Sequence, residues 1–292
     1  MKYILLIITI SLSNVLMAQD SISNHYKIYD TRIQQFVNVD KIVADMANAD
    51  VLFFGEEHDD SVGHYLENKI FQSLYSVYGS KLALSLEMFE SDNQLVLDEY
   101  LTGKIDEARL YKDARLWGNY KDYRPMVEFA KQNNIPVIAA NTPRRYVSMV
   151  TRRGMKSLDS LSKASKNYLP PLPFDTLSGR YHEKFMNTMT GTPESVSKNI
   201  YYSQSLWDAG MSYSIYQFLK KHKGNKIFHC VGGFHTAEKL GTAAQLKLRN
   251  KKLRILNIAL VSDENFTNPD WQKLSILGDY ILLTDPMVKK TY

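Results

Sequence analysis

Val51-Leu52-Phe53-Phe54-Gly55-Glu56-Glu57-His58 is the stretch that decides the fold. Four apolar residues run without alternation, as in a strand covered on both faces, and the chain then breaks at glycine into acids and an imidazole. The same pattern recurs at Leu82-Ala83-Leu84-Ser85-Leu86, Val137-Ile138-Ala139-Ala140, Ile227-Phe228-His229-Cys230-Val231 and Ile255-Leu256-Asn257-Ile258-Ala259-Leu260. Tyr280-Ile281-Leu282-Leu283 reads as a last strand. Helical stretches separate the runs. Leu66, Ile70, Leu74 and Val77 form one stripe stopped at Gly79, Met126, Phe129 and Ala130 mark a second helix, and Gln204 to Leu219 carries Leu206, Gly210, Tyr213 and Gln217 on one side. Strand alternating with helix predicts an α/β fold with a mainly parallel sheet flanked by helices.

The 292 residues are 44% hydrophobic and 23% charged, the composition of a globular chain with a sizeable core. One cysteine, Cys230, excludes a disulfide framework and a cysteine-rich metal module, and inside a strand it reads as core. A net charge of +5, from 36 basic and 31 acidic residues, suits an anionic small molecule and is too mild to imply nucleic-acid binding.

Met1-Lys2, the apolar run Tyr3 to Ile10 and the small or mildly polar Ser11 to Ala18 have the layout of a secretory signal cleaved near Ala18, so residues 1–18 are expected to be removed. The rest, 19–292, reads as one domain, exported to the periplasm or beyond. No cysteine follows the signal, so lipid attachment there is not expected. From about 147 to 202 no strand-like run occurs, and Pro170-Pro171-Leu172-Pro173 lies at the centre of a segment rich in Lys, Ser and Tyr. We read this as a helical insertion between strands, folded over the sheet.

The chemistry lies in the residues just after each apolar run. Glu56-Glu57-His58-Asp59-Asp60, Glu87-Met88-Phe89-Glu90, Asn141-Thr142-Pro143-Arg144-Arg145 and Gly233-Phe234-His235 each start at a strand's carboxyl end. In a parallel sheet those ends share one edge, where ligands bind. His58 and His235 share the setting Gly-x-x-His, and a neutral imidazole can bind a metal or accept a proton near pH 7. Glu87 can bind a metal, orient an imidazole or act as a base. His64 and Glu67 lie one helical turn apart, as do Gln204 and Asp208, a pair equally readable as buried support. Glu56, Asp59 and Asp60 read most simply as cap and first-turn acids of the next helix, and Arg152, Arg153 and Lys156 as a solvated face.

The order and spacing of these pieces resemble the haem-binding ChaN family of the Tiki, ChaN and erythromycin-esterase superfamily. The resemblance runs through Gly55-Glu56-Glu57-His58 with His64, Leu86-Glu87-Met88-Phe89 with Gln94, then Trp117 and Tyr120. It continues through Ile135-Pro136-Val137-Ile138-Ala139-Ala140-Asn141-Thr142-Pro143-Arg144, Gln204-Ser205-Leu206-Trp207-Asp208 and Gly232-Gly233-Phe234-His235, covering roughly residues 51–260. It implies a secreted or surface-attached bacterial protein of iron or haem acquisition, serving outer-membrane haem uptake and holding haem between the subunits of a homodimer. Superfamily relatives hydrolyse peptides or lactones, with metal in the Tiki branch, and His58, Glu87 and His235 stand at the equivalent motif positions.

These residues support two functions. Haem needs an apolar slot, an axial Tyr, His or Met, and basic groups for its propionates; the insertion offers Tyr181, His182, Met186, Tyr201 and Tyr202, with Arg145 nearby. A hydrolase would use His58, Glu87 and His235 to hold a divalent ion that activates water, or His58 as a metal-free general base oriented by Glu57 or Glu87. His64, Asn141, Arg144, Gln204 and Asp208 would support either. The sequence leaves open whether the chain is an enzyme.

Overall fold

The structure, a computed structural model, describes residues 21–292; the apolar leader read over 1–18 lies outside the described residues. Eight strands form one sheet: β1 (Tyr26–Asp30), β2 (Gln35–Phe36), β3 (Val51–Glu56), β4 (Leu82–Glu90), β5 (Val137–Asn141), β6 (Lys226–Gly232), β7 (Ile255–Ser262) and β8 (Tyr280–Thr284). Their order is β2-β1-β8-β7-β3-β6-β4-β5. β3 to β8 are mutually parallel, and β1 and β2 add an antiparallel margin beside β8. The helices are α1 (Val39–Asp45), α2 (Ser61–Tyr78), α3 (Gln94–Leu101), α4 (Glu107–Asp113), α5 (Tyr120–Gln132), α6 (Arg144–Arg153), α7 (Lys163–Lys166), α8 (Arg180–Thr188), α9 (Glu194–Lys221), α10 (Gly241–Arg249) and α11 (Trp271–Leu274). Among the described residues, no helix is long and apolar enough to cross a membrane.

The period of two along each strand sorts side chains between two cores. Leu52 and Phe54 of β3, with Leu84, Leu86 and Phe228, pack under α2 and α5. Val51 and Phe53, with Ala83, Ile227 and Val231, pack against Met211 of α9 and Leu246 of α10 on the other face. This double cover is why the runs are apolar without alternation.

Helix α2 starts where Asp60 accepts the backbone N–H of Gly63 at 2.7 Å, and it stops at Gly79, whose φ of +50° suits a residue without Cβ. Leu66, Ile70 and Leu74 are fully buried along it, each stabilising by about 1.5–3 kcal/mol. Val77, expected on the same stripe, is instead 62% exposed because the last turn runs past the edge of the core. Between β5 and β6 the described chain forms helices and, over 167–179, irregular turns, with no strand; the helix expected over 204–219 is the second half of the 28-residue α9, which begins inside the insertion.

At the sheet's outer margin the β5 edge is closed by a side chain. Gln94 donates through Nε2 to the Val137 carbonyl at 2.8 Å and accepts the Ala139 N–H through Oε1 at 2.8 Å, standing in for a further strand.

Candidate functional site

β3, β6 and β4 are neighbours at the centre of the sheet, with Glu56 in register with Gly232. Their carboxyl ends bring His58, Glu87 and His235 around Gly232. A Cβ there would lie 2.8 Å from His58 Nε2 and 3.6 Å from Glu87 Oε2. The Gly232 N–H donates to Glu87 Oε2 at 2.7 Å, and Glu87 Oε1 lies 3.7 Å from His235 Nε2. Neither Gly55 nor Gly232 has a positive φ, so these glycines are required for room and not for a left-handed turn. At Gly55 a Cβ would meet Thr236 Oγ1 at 2.4 Å. A pocket of about 320 Å³ opens over this edge, lined by Glu56, Glu57, His58, Gln204 and His235, with Phe185 and Thr188 of the insertion as a wall.

Two hydrogen-bonded networks meet here from opposite faces of the sheet. On the α9 and α10 face, Asp208 is fully buried and accepts from His235 Nδ1 at 2.7 Å and Thr242 Oγ1 at 2.8 Å, and from the Tyr181 hydroxyl. Asp208 therefore fixes the proton on Nδ1 and leaves Nε2 facing Glu87 and Gln204. Burial opposes charge on His235, but the Asp208 and Glu87 carboxylates raise its pKa nonetheless. Gln204 and Asp208 are thus both part of this edge.

On the α2 and α5 face lies Glu56, which shares strand parity with Leu52 and Phe54. It is a buried strand residue and not a helix-start acid as read from the sequence; Asp60 alone among the three expected acids caps α2. Glu56 Oε1 accepts from His58 Nδ1 at 2.8 Å and from the Tyr123 hydroxyl at 2.9 Å. His64, expected to be as often solvated as functional, is buried: Nδ1 faces Glu67 Oε2 at 3.0 Å, and Nε2 donates to the His58 carbonyl at 3.1 Å. Asn119 donates to that same carbonyl, and the Trp117 ring stands edge-on to His58 at 5.3 Å. Burial pushes both Glu56 and Glu67 well above the usual carboxylate range. Burial also works against charge on His58, but the hydrogen bond to Glu56 and the negative charges around it prevail and raise the imidazole.

The compact group of potential metal ligands differs from the expected set of His58, Glu87 and His235. Among the described residues it is Glu56, His64 and Glu67, with one ligand atom from each all within 4.8 Å of one another. His58 is not among them; its Nδ1 is hydrogen-bonded to Glu56 and its Nε2 points to Gly232. Glu57, expected to orient His58, instead accepts the Ser262 N–H and pairs with Lys290. Asn141 is buried and accepts the Thr142 N–H, while Arg144 is exposed beside Trp117, Arg115 and Arg145 in a recess of about 710 Å³.

The expected haem residues are spread across the insertion. Tyr181 and Tyr201 are buried, their hydroxyls given to Asp208 and to the Thr176 carbonyl. His182 is exposed and packs edge-on to Tyr201 at 4.7 Å, and Met186 is half-buried one turn further on. Arg145 is held by Asp92 and Tyr146. Tyr202 lines a slot of about 840 Å³ between Leu158, Leu169, Pro170 to Pro173 and Phe174, with Met155, Lys156, Asp159 and Lys166 also on its walls. Met155, and the place of the proline run in the slot, were not legible in the sequence because only the folded insertion brings them to the same cavity as Tyr202.

An α/β sheet with an edge site and a helical insertion defines the class. The chain belongs to the family described as haem-binding uptake, Tiki superfamily, ChaN, which it matches over residues 42–246. Among solved structures it is similar to the ChaN of Campylobacter jejuni, described for cofacial haem binding, with a TM-score of 0.69 and 19% identity over 89% of this chain and 97% of that one. A Bacillus cereus protein is similar at a TM-score of 0.46 and 15% identity, over 82% of this chain and 73% of that chain. Protein RETICULATA-RELATED 5, chloroplastic, of Arabidopsis thaliana is 27% identical over 144 residues, and the match spans 46% of this chain and 19% of that protein.

Proposed function

We propose that this chain is an exported haem-binding protein of bacterial haem uptake, holding haem in the insertion's slot between two copies of itself. The observation that carries the reading is Tyr202. Its ring is half-buried in a slot of about 840 Å³ with an apolar wall of Leu158, Leu169, Pro170 to Pro173 and Phe174, and its hydroxyl makes no hydrogen bond among the described residues. Such a slot suits a macrocycle that is apolar on its faces, and a tyrosine oxygen is one of the axial ligands of haem iron. Lys156, exposed on the slot's wall, and Lys166 offer charge to propionates. Tyr181 and Tyr201 serve in this reading as buried supports of α8 and α9, while His182 and Met186 form a secondary ligand pair. Family membership supports haem as cargo. The cofacial haem of the Campylobacter protein supports a paired arrangement, in which two slots face each other.

Titration of the purified protein with hemin tests the proposal. A saturable Soret shift is expected, with a change from monomer to dimer by sedimentation. Tyr202→Phe, which keeps the ring and loses only the oxygen, should change the spectrum and weaken binding at least about tenfold, or about 1.4 kcal/mol. A wild-type titration without saturation would end the proposal, and an unchanged Tyr202→Phe spectrum would move the iron ligand to His182 or Met186.

A second reading, hydrolysis at the sheet edge, is supported by the Asp208–His235 hydrogen bond and by His235 Nε2 facing Glu87. An imidazole oriented by a buried carboxylate can take a proton from water. Turnover of ester or peptide substrates that disappears in His235→Ala would establish it, and equal turnover in that variant would remove it.

A further inference from the structure

We propose that Glu56, His64 and Glu67 bind one divalent transition-metal ion of the zinc type beneath the sheet edge, at a site separate from the haem slot. The argument starts from the tautomer of His64. Its Nε2 lies 3.1 Å from the His58 carbonyl, an acceptor only, so Nε2 carries a proton and Nδ1 is the ring nitrogen that can offer a metal its lone pair. That lone pair faces Glu67 Oε2 at 3.0 Å and Glu56 Oε2 at 3.6 Å. Three electron-pair donors thus converge where a cation is needed.

Burial sharpens the case. Glu67 is fully buried and Glu56 only 3% exposed, and Glu56 Oε2 and Glu67 Oε1 have no hydrogen-bond partner. Uncompensated buried carboxylates are costly. Metal bonds of about 2.0–2.2 Å place neighbouring ligand atoms roughly 3–4 Å apart, and both carboxylates stand at that spacing from His64 Nδ1. The outer shell also fits a metal site. Glu56 Oε1, turned away from the cluster, accepts from Tyr123 and His58, and His64 gives its second ring nitrogen to a backbone carbonyl. One imidazole and two carboxylates suit a first-row divalent ion with a position left for water. Glu56 also lines the edge pocket, which gives the ion a way in. The alternative cation is a proton, carried on His64 Nδ1 against Glu67 or shared by the carboxyls.

The test uses the full protein, stripped with a chelator and desalted. Co²⁺ is titrated while the visible d–d bands are followed, and Zn²⁺ is titrated by calorimetry and thermal shift. One ion per chain and a higher Tm are expected. Glu67→Gln keeps the shape and removes the charge. It should fold, with an apo melting point at or above that of wild type, and lose at least about 100-fold in metal affinity, a difference of about 2.7 kcal/mol. His64→Gln should do the same, while His235→Ala should bind metal like wild type. Substoichiometric binding to the wild type, or a Glu67→Gln titration like that of wild type, would overturn the proposal and leave a shared proton only. Hemin titration of Glu67→Gln should match wild type, so the haem reading stands or falls separately.

Discussion

His235 Nδ1 lies 2.7 Å from Asp208 Oδ1, so a residue after β6 is oriented by one in the middle of α9. Asp208 also accepts from Tyr181 on α8 and from Thr242 on α10, which makes this single carboxylate the junction of three elements. Asp208→Asn offers one oxygen where three donors now converge. We expect a loss of about 2–3 kcal/mol, seen as a lower Tm. The His235 pKa, followed by NMR, should fall, because the charge that raises it is gone. An unshifted His235 titration would contradict this account.

Gly210 marks where α9 presses on the end of β5. A Cβ there would lie 1.9 Å from Thr142 Oγ1 and 3.4 Å from the Thr142 backbone nitrogen. Gly210→Ala is expected to destabilise by about 1–3 kcal/mol through overpacking. Thr142→Ala added to it should recover part of that loss, since it removes the nearest atom. Additive losses in chemical denaturation would show that the two residues do not compete for the same space.

His229 couples stability to acid. It is fully buried between Phe53 and Ser85 Oγ, and burial holds its pKa down to about 3. A depressed folded-state pKa means that the neutral ring contributes its full stability above the unfolded value of about 6.5. That contribution is lost as pH falls from there towards 3, with a slope of about 1.4 kcal/mol per pH unit. His229→Gln should flatten stability over that window. Parallel pH profiles for the two proteins would refute the assignment.

Gly232→Ala tests how the edge is packed. The added methyl meets the tip of His58, a side chain able to move, more closely than any backbone atom. The protein should fold with a Tm near that of wild type, yet His58 should swing outward and react faster with diethyl pyrocarbonate. Unchanged labelling of His58 would mean that the ring is not held against Gly232.

The six parallel strands were legible because double cover makes each a run such as Val51 to Phe54. β1 escaped because Tyr26-Lys27-Ile28-Tyr29-Asp30 alternates and is half-exposed, as a marginal antiparallel strand should be. His58, Glu87 and His235 could be placed at one edge by strand-end logic alone. Glu56 was misread because an acid shortly before a helix looks like a cap, although counting by twos from Leu52 and Phe54 points it into the core beside His64. Tyr181 was legible only as an aromatic in the insertion. Its bond to Asp208 depends on α8 folding back over α9, a long-range contact that no local pattern encodes.

The glutamine clasp on β5 bears on how two copies could meet. With the Val137 carbonyl and the Ala139 N–H already occupied by Gln94, that margin cannot be extended by another chain's ribbon. The opposite margin ends in β2, only two residues long and a poor template for extension. A twofold assembly is therefore steered away from a shared, continuous sheet and onto the helical flanks, where the insertion lies.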